Sequence, residues 1–343
     1  MDERVNLNEL RANQRFLARE LLARGVTVTL FDRHNEILEA TLGDHRELLS
    51  DIDSSIMPYT ASVVAGSKSI TKRLLNRAGI STPRGHYFSS EDAGEIARYA
   101  QDVIGFPVVV KPSFGVQGEN VFTTLESVDE VMAAVQAIVT DSGNQEIIVE
   151  EYFRGHEFRV FMTARGGFAA LYREPAHIIG DGFHSIELLA SWESYRRMHP
   201  RNNCLCPISL DGESAHYLKR RGLSPLSVPR LGEKVYLRGS SNVKKGGVPT
   251  DVTDLVHPSA REICAKALAA IPGLPYAGID FMCADIRNRQ EGDSYRVLEI
   301  NSVPGIGIHM APGRGSPRNV AGMIVDMIFP ETIGKRRETA CAA

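Results

Sequence analysis

Apolar positions repeat at helical spacing twice within the first eighty residues. Phe16, Leu17, Leu21 and Leu22 mark one helix that Gly25 ends, and Val26 to Phe31 then reads as a strand. Ile70, Leu74, Leu75 and Ala78 predict the inner stripe of a second helix from about Ser67 to Ala78, with Gly79 suited to a left-handed stop. Further on, a short strand near His86 to Phe88 precedes a helix carrying Ala93, Ile96, Ala97, Ala100 and Ile104. Strands Phe106 to Lys111 and Val121 to Thr124 follow. Ser127 and Glu130 then predict a capping box for a helix with Val131, Ala134, Val135 and Ile138 on one face, and the strand Glu146 to Tyr152 closes the unit. The last stretch reads as strands near Phe158–Thr163, Phe168–Tyr172, Gly278–Cys283 and Tyr295–Asn301, with helices near Pro258–Ile271 and Asn319–Ile328. No internal repeat or long linker interrupts this order. The pattern predicts an α+β chain with a small N-terminal α/β lobe over 1–82, a central lobe over 83–155, a C-terminal lobe over 156–332 and a disordered tail over 333–343.

Composition narrows the class. The 343 residues are 43% hydrophobic and 24% charged, ordinary for a water-soluble globular protein, and long enough for a sizeable core. A net charge of −3 gives no global field for nucleic acid or an anionic membrane, so neither is expected as a partner. No run of about 18 apolar residues predicts a transmembrane helix, and Met1-Asp2-Glu3-Arg4 does not open a signal peptide. Five cysteines without a C-x-x-C pair argue for a reducing compartment, so a cytoplasmic location is expected. Cys204 and Cys206 read as a loop or strand edge rather than a metal site.

Three stretches carry candidate chemistry. In Lys111-Pro-Ser-Phe-Gly-Val-Gln-Gly118 a lysine ends an apolar strand, and Gly115 and Gly118 would let backbone N–H groups approach a polyphosphate. No G-K-[ST] opens a helix here, so this is not a Walker P-loop, and an ordinary strand-to-turn junction remains the alternative. Ile147-Ile-Val-Glu-Glu-Tyr-Phe-Arg-Gly-His-Glu157 runs from a strand into a charged hinge. It could pair with adenine through its backbone and with ribose through a carboxylate, or be a solvated turn. Asp280 lies inside an apolar strand, while Glu299 and Asn301 alternate with Leu298 and Ile300 and so share a face. Buried carboxylates cost several kcal/mol unless paired or metal-bound. Three hard oxygen ligands suit Mg²⁺, with Mn²⁺ a workable substitute, and salt bridges to Lys or Arg are the alternative.

The order of lysine, glycine loop, hinge and acidic strands resembles the ATP-grasp superfamily. The likeness is densest to the ATP-grasp modules of cyanophycin synthetase and of bifunctional glutathione synthetase. It runs from about Gly43 to Pro330 through Thr71-Lys-Arg-Leu-Leu, the Lys-Pro loop, Arg173-Glu-Pro-Ala-His-Ile-Ile-Gly-Asp-Gly182, Gly232-Glu-Lys-Val-Tyr-Leu-Arg238, Gly246-Gly247, Asp251-Val-Thr-Asp254, Glu299-Ile-Asn-Ser-Val-Pro-Gly305, Met310-Ala-Pro and Pro317-Arg-Asn-Val. The resemblance implies an ATP-grasp fold in which the central lobe is a lid and the C-terminal lobe is catalytic. It implies that Lys72 and Lys111 hold ATP phosphates under a cover from Ser113 to Gly118. Glu150, Glu151 and Phe153 fall in the adenine hinge, Glu157 matches the ribose carboxylate, and Asp280, Glu299 and Asn301 match the Mg²⁺ ligands. Arg238 matches the arginine that stabilises the acyl phosphate and tetrahedral species, with Gly246 and Gly247 supplying backbone N–H groups. Arg159, Arg173 and His309 match substrate-side positions.

The implied activity is an ATP-dependent joining of an acid to an amine, both amino-acid-like or one a dipeptide, through an acyl phosphate with release of ADP and phosphate. A homodimer is compatible with the resemblance. The extra domains of both relatives have no counterpart here, which leads one to expect a free-standing, single-step ligase. Where the relatives carry a Ser-Thr pair before the double glycine, this chain has Lys244-Lys245, so a substrate with an additional negative group is expected. A glutathione-synthetase-like or natural-product tailoring ligase is the nearest alternative. A regulatory module that binds ATP without ligation is the alternative of another class, although it would have no need of Arg238, Asp280, Glu299 and Asn301 together.

Overall fold

The computed structural model describes residues 3–113, 120–143, 145–198 and 204–334. Gly115, Gly118 and most of the expected tail lie outside the described residues. The chain begins with a four-stranded antiparallel sheet in sequence order: Glu3–Arg4, Thr27–Asp32, Ile37–Leu42 and His45–Ser50. The last two strands escape the hydrophobic pattern because their buried face is thin, with only Leu38 and Ala40 on one and Glu47 and Leu49 on the other. Gly43, left-handed at φ +60°, closes the hairpin between them, where a side chain would strain the turn. The helix Ala12–Ala23 packs Leu17, Ala18 and Leu21 inward.

The helix Lys68–Arg77 forms where expected, capped by Ser67, and Gly79 follows at φ +70°. Its phase differs from the expected stripe. Thr71 and Leu75 are buried, whereas Ile70 is 41% exposed. Lys68 and Lys72 lie one turn apart, flanking Thr71, so the helix presents lysines toward the site. The later helix Val128–Ser142 buries Val131, Ala134, Val135 and Ile138 as expected. Ser127 accepts from the Glu130 N–H, but the Glu130 carboxylate reaches the N–H of Glu126, one residue before the position a capping box would use.

The central lobe is a four-stranded antiparallel sheet, ordered Gly85–Ser89, Glu146–Glu151, Val108–Pro112 and Phe122–Leu125. The C-terminal lobe carries a five-stranded antiparallel sheet, ordered Val248–Asp251, Phe168–Glu174, His156–Thr163, Tyr276–Cys283 and Tyr295–Asn301. One apolar core joins the N-terminal sheet and helices to this five-stranded sheet, running from Leu17 and Leu38 through Phe161 and Ile279 to Phe329. The central sheet has its own core around Val108, Val135 and Ile147. A third, small core around Ile178, Ile186, Leu218 and Leu237 supports the segment 176–237. Among the described residues no helix is long and apolar enough to cross a membrane, and the four described cysteines are free.

The turn after His45–Ser50 holds two half-buried carboxylates. Ser50 and Asp53 exchange backbone hydrogen bonds, and the Tyr276 hydroxyl donates to the Ile52 carbonyl at 2.6 Å. Burial, with the Asp51 charge added, pushes the Asp53 carboxyl up to about 6. A raised carboxyl favours the folded state only while protonated. Stability from this group is therefore full below its unfolded value of 3.8 and is lost as pH rises through about 6. Asp53→Asn is expected to raise Tm at about pH 8 and to match wild type near pH 4. Thermal melts across that range check this, and an offset independent of pH would assign the effect to packing.

Candidate active site

Two rows of charged side chains face each other between the central sheet and the five-stranded sheet. The first is built on Glu150. Register pairs Val109 with Glu150 and Lys111 with Ile148, which puts Lys111 and Glu150 diagonally on one face of the central sheet. Lys111 Nζ lies 2.6 Å from one Glu150 oxygen, and Lys72 Nζ, arriving from the helix Lys68–Arg77, lies 2.8 Å from the other. Burial alone would raise the Glu150 carboxyl, but the charges and hydrogen bonds of Lys111 and Lys72 hold it below the ordinary carboxylate range. Ser113, next along from Lys111, is buried, and its Oγ has no hydrogen-bond partner among the described residues.

Glu151 points the other way and is committed to two arginines, Arg84 and Arg296, each at 2.8 Å. Arg296 also lies over the Phe153 ring at 4.9 Å. These contacts bind the hinge to the C-terminal body.

The second row crosses three adjacent strands. Asp280 stands opposite Arg159 on one side and opposite Glu299 on the other. A bulge follows, because Phe281 pairs with Val297 and Leu298 is skipped. Arg159 Nε lies 2.7 Å from Asp280, and Arg173 Nη1 lies 3.4 Å from Asp280 and 2.7 Å from Glu157. Glu157 also accepts from the Ser241 hydroxyl. Asn301 Nδ2 donates to Glu299 at 3.0 Å. Arg159 fits because position 278 is glycine. A Cβ there would come within 2.8 Å of its Nη1 and 2.7 Å of Pro304 Cβ.

Burial drives the Asp280 carboxyl well above its ordinary range, against the pull of Arg159 and Arg173 and with the help of Glu299 and Glu157. Burial would raise Glu299 too, but a hydrogen bond from Asp280 and the charge of Arg159 bring it below the ordinary range. The two facing carboxyls are thus pushed in opposite directions, Asp280 up and Glu299 down. Among the described residues no three His, Cys, Asp or Glu side chains converge as a metal cluster. The oxygen set here is two carboxylates and one amide, which suits a hard cation that takes its other ligands from phosphate and water.

The remaining expected residues gather near a glycine turn. Arg238 is fully buried, with its Nη atoms held by Ser209, Asp211, Glu213 and Ser214. Lys244 and Lys245 lie in a short 3₁₀ turn rather than an extended loop; Lys244 is exposed, and Lys245 Nζ pairs with Glu213 at 2.9 Å. Gly246 adopts φ +99°, and a Cβ there would meet Ile208 Cα at 2.9 Å. The expected role of the two glycine N–H groups in meeting an oxyanion is corrected by the turn itself. The Gly246 N–H donates to the Val243 carbonyl and the Gly247 N–H to the Asn242 carbonyl, both at 3.0 Å, so each donor is already spent.

Two further residues belong to the site. Lys68 is driven down by burial and by Lys111, against the opposing charges of Glu299 and Glu150, and so bridges the two charged rows. Its signal was the spacing Lys68-x-x-x-Lys72, masked by the apparent apolar stripe through Ile70. Arg197 donates through Nη1 to the Gly246 carbonyl at 2.7 Å and the Cys206 carbonyl at 3.1 Å, fixing the glycine turn. Cys204 and Cys206 accordingly sit outside regular strands, as a loop.

Residues 66–172 match the phosphoribosylglycinamide synthetase ATP-grasp (A) domain. Cyanophycin synthetase of Geminocystis herdmanii is 37% identical over 272 residues, covering 78% of this chain and 30% of that protein. That of a Synechocystis species is 32% identical over 312 residues, covering 90% of this chain and 34% of that protein. In the solved bifunctional glutathione synthetase from Pasteurella multocida, the match covers 93% of this chain at a TM-score of 0.66 and 26% identity, and 44% of that chain. The chain belongs to the ATP-grasp superfamily. It spans about a third of the length of the cyanophycin synthetases it matches. The ATP-grasp fold accounts for the layout of two sheets enclosing the charged rows.

His309 lies beneath the second row. It is buried, its ring meets Phe161 edge-on, and neither ring nitrogen has a partner among the described residues. Burial, reinforced by the Arg159 charge, drives its imidazolium down to about 3. His309 is therefore expected to stay neutral from about pH 5 to pH 9. ¹⁵N chemical shifts of its ring nitrogens check this, and a titration near pH 6.5 would contradict it.

Proposed function

We propose that this chain is an ATP-dependent carboxylate–amine ligase that activates an acid as an acyl phosphate and passes the acyl group to an amine. The observation that carries the reading is the pairing of two lysines that converge on Glu150, Lys111 from the central sheet and Lys72 from the helix Lys68–Arg77, with a buried Arg159–Asp280–Glu299–Asn301 row across from them. Membership in a superfamily that includes cyanophycin synthetase and glutathione-forming relatives supports the same chemistry.

Each group then has a task. Lys72 and Lys111 neutralise ATP phosphate oxygens, exchanging Glu150 for the nucleotide in part. The Glu150–Phe153 segment takes adenine, and Glu157 takes ribose hydroxyls. Glu299, Asn301 and Asp280 are the residues that would hold Mg²⁺, or Mn²⁺ in its place. When bound, the ion screens the β- and γ-phosphates against the incoming carboxylate. Arg159 and Arg173 keep the buried carboxylates charge-balanced and face the acid substrate, with His309 as a neutral wall. The acid oxygen attacks the γ-phosphorus in line, ADP leaves, and the amine then displaces phosphate from the acyl carbon. Arg238 meets the oxyanion that develops on that carbon. Excluding water protects the acyl phosphate from hydrolysis. The substrates are amino acids or a short peptide by analogy with the relatives' names.

A phosphate-release screen over acid–amine pairs, with mass spectrometry of the products, tests the assignment. A product heavier by the amine minus water, formed with ADP and abolished by excess EDTA, is expected. ATP binding without any ligation across the screen would favour a regulatory module.

Lys111→Ala separates the nucleotide role from a structural one. Lys72 still balances Glu150 in that variant, so the fold should persist. A lost charge-assisted contact lowers kcat/KM for ATP by about 10- to 150-fold. Unchanged kinetics at an unchanged Tm would remove Lys111 from the phosphate site.

A further inference from the structure

Lys245 and Arg238 meet on one carboxylate. Glu213 Oε2 lies 2.9 Å from Arg238 Nη1 and 2.9 Å from Lys245 Nζ, and its Oε1 accepts from the Ser240 hydroxyl at 3.3 Å. Glu213 is in the first turn of the helix Gly212–Lys219, whose cap, Asp211, accepts from the Ser214 N–H at 3.1 Å. The same turn holds the other end of the guanidinium. Arg238 Nη2 donates to the Ser209 carbonyl at 2.6 Å and the Ser214 hydroxyl at 2.9 Å, and it lies 3.4 Å from Asp211. Arg238 Nε is buried and has no hydrogen-bond partner among the described residues.

We propose that Glu213 is a positioning residue for Arg238, and that Lys245 acts by holding Glu213 rather than by meeting a substrate. This rests on the reading of Arg238 as the group that meets the reacting acyl centre.

The argument is one of donors and charge. A guanidinium has five N–H donors in a rigid plane. The helix turn takes both Nη atoms, which fixes the plane and leaves Nε as the donor without a partner. A buried donor without an acceptor is costly, and an incoming oxygen relieves that cost. Charge balance points the same way. Arg238 and Lys245 supply two positive charges and Asp211 and Glu213 two negative ones, so Lys245 has no surplus charge for an anionic substrate. The expected preference for an extra negative group loses its basis at Lys245. A surface ion pair is ordinarily worth little. Here one partner is wholly buried, so removing Glu213 frees the guanidinium plane to rotate.

The test uses the full chain with MgATP and pooled amino acids, measuring ADP release, Tm and the arginine Nε–H NMR signals. Glu213→Gln should lower kcat about tenfold or more while leaving KM for ATP within about twofold, and should broaden one protected Nε–H signal that Arg238→Lys removes. Glu213→Asp should restore part of the rate. Lys245→Met should shift kcat in the same direction, and the double variant should be no slower than Glu213→Gln alone. A Glu213→Gln protein that loses Tm but keeps its rate and its Nε–H signal overturns the proposal. So does a Lys245→Met protein with unchanged kcat and a raised substrate KM. If Glu213→Gln fails to fold, Lys245→Met and the NMR signal decide. Arg238→Lys separates the two levels. An active Arg238→Lys protein without the protected signal defeats the reading of Arg238 itself, whereas an inactive one beside a normal Glu213→Gln defeats only the role given to Glu213.

Discussion

Asp280 is a carboxylate in the middle of a buried sheet, and much of the site is arranged to make that tolerable. An ionised carboxylate without partners in such surroundings would cost several kcal/mol. The chain answers with two arginines, Arg159 on the adjacent strand and Arg173 one strand further out. Each answer constrains the sequence further. Arg159 lies against Gly278, Arg173 has Glu157 as a second partner, and the bulge at Leu298 leaves Glu299 level with Asp280. On the reading proposed above, Asp280, Glu299 and Asn301 would hold a hard cation, which would add positive charge beside the two carboxyls.

The lid is joined to this body by charge rather than by apolar packing. Its core around Val108 and Ile147 is separate from the core shared by the first and last lobes. Between them run Lys72–Glu150, Arg296–Glu151 and the contact of Arg220 with Glu126 and the Thr124 carbonyl. Separate cores with a polar interface favour relative movement of the two parts. On the reading proposed above, a polyphosphate entering beside Glu150 would compete for the same two lysines.

Much of this was legible in the chain. The parity of Glu299 and Asn301 put them on one face, and Lys111 lies near the end of its strand as its residue order implied, whereas Glu150, read as part of a hinge, lies inside a strand between two lysines. The five-stranded sheet was visible strand by strand except for Val248–Asp251, whose four residues carry only one strong apolar signal. Other features depend on phase or on tertiary contact. Ile70 drew the helix stripe to the wrong side because one exposed isoleucine resembles a buried one, and this hid Lys68. The segment from 176 to 247 folds as short pieces around a small core, so Glu213 and Arg197 became site residues only through contacts with partners far along the chain. The glycine pair was read as a source of donors, but hydrogen bonds within a tight turn satisfied both N–H groups locally.

Arg238 and Asp280 solve the same problem in opposite ways. Asp280 is a buried carboxyl set between two cations, Arg159 and Arg173. Arg238 is a buried cation that cannot give up its proton, so it must be surrounded by acceptors. Those acceptors come from the start of the helix Gly212–Lys219 and the residues just before it, Ser209 to Ser214, and consume the two ends of its fork. A permanently charged group held in a fixed plane suits an oxyanion that exists only briefly, because nothing must reorganise when it forms. On the reading proposed above, the carboxyl row would serve cation and phosphate, and the pinned guanidinium would serve the acyl-transfer step.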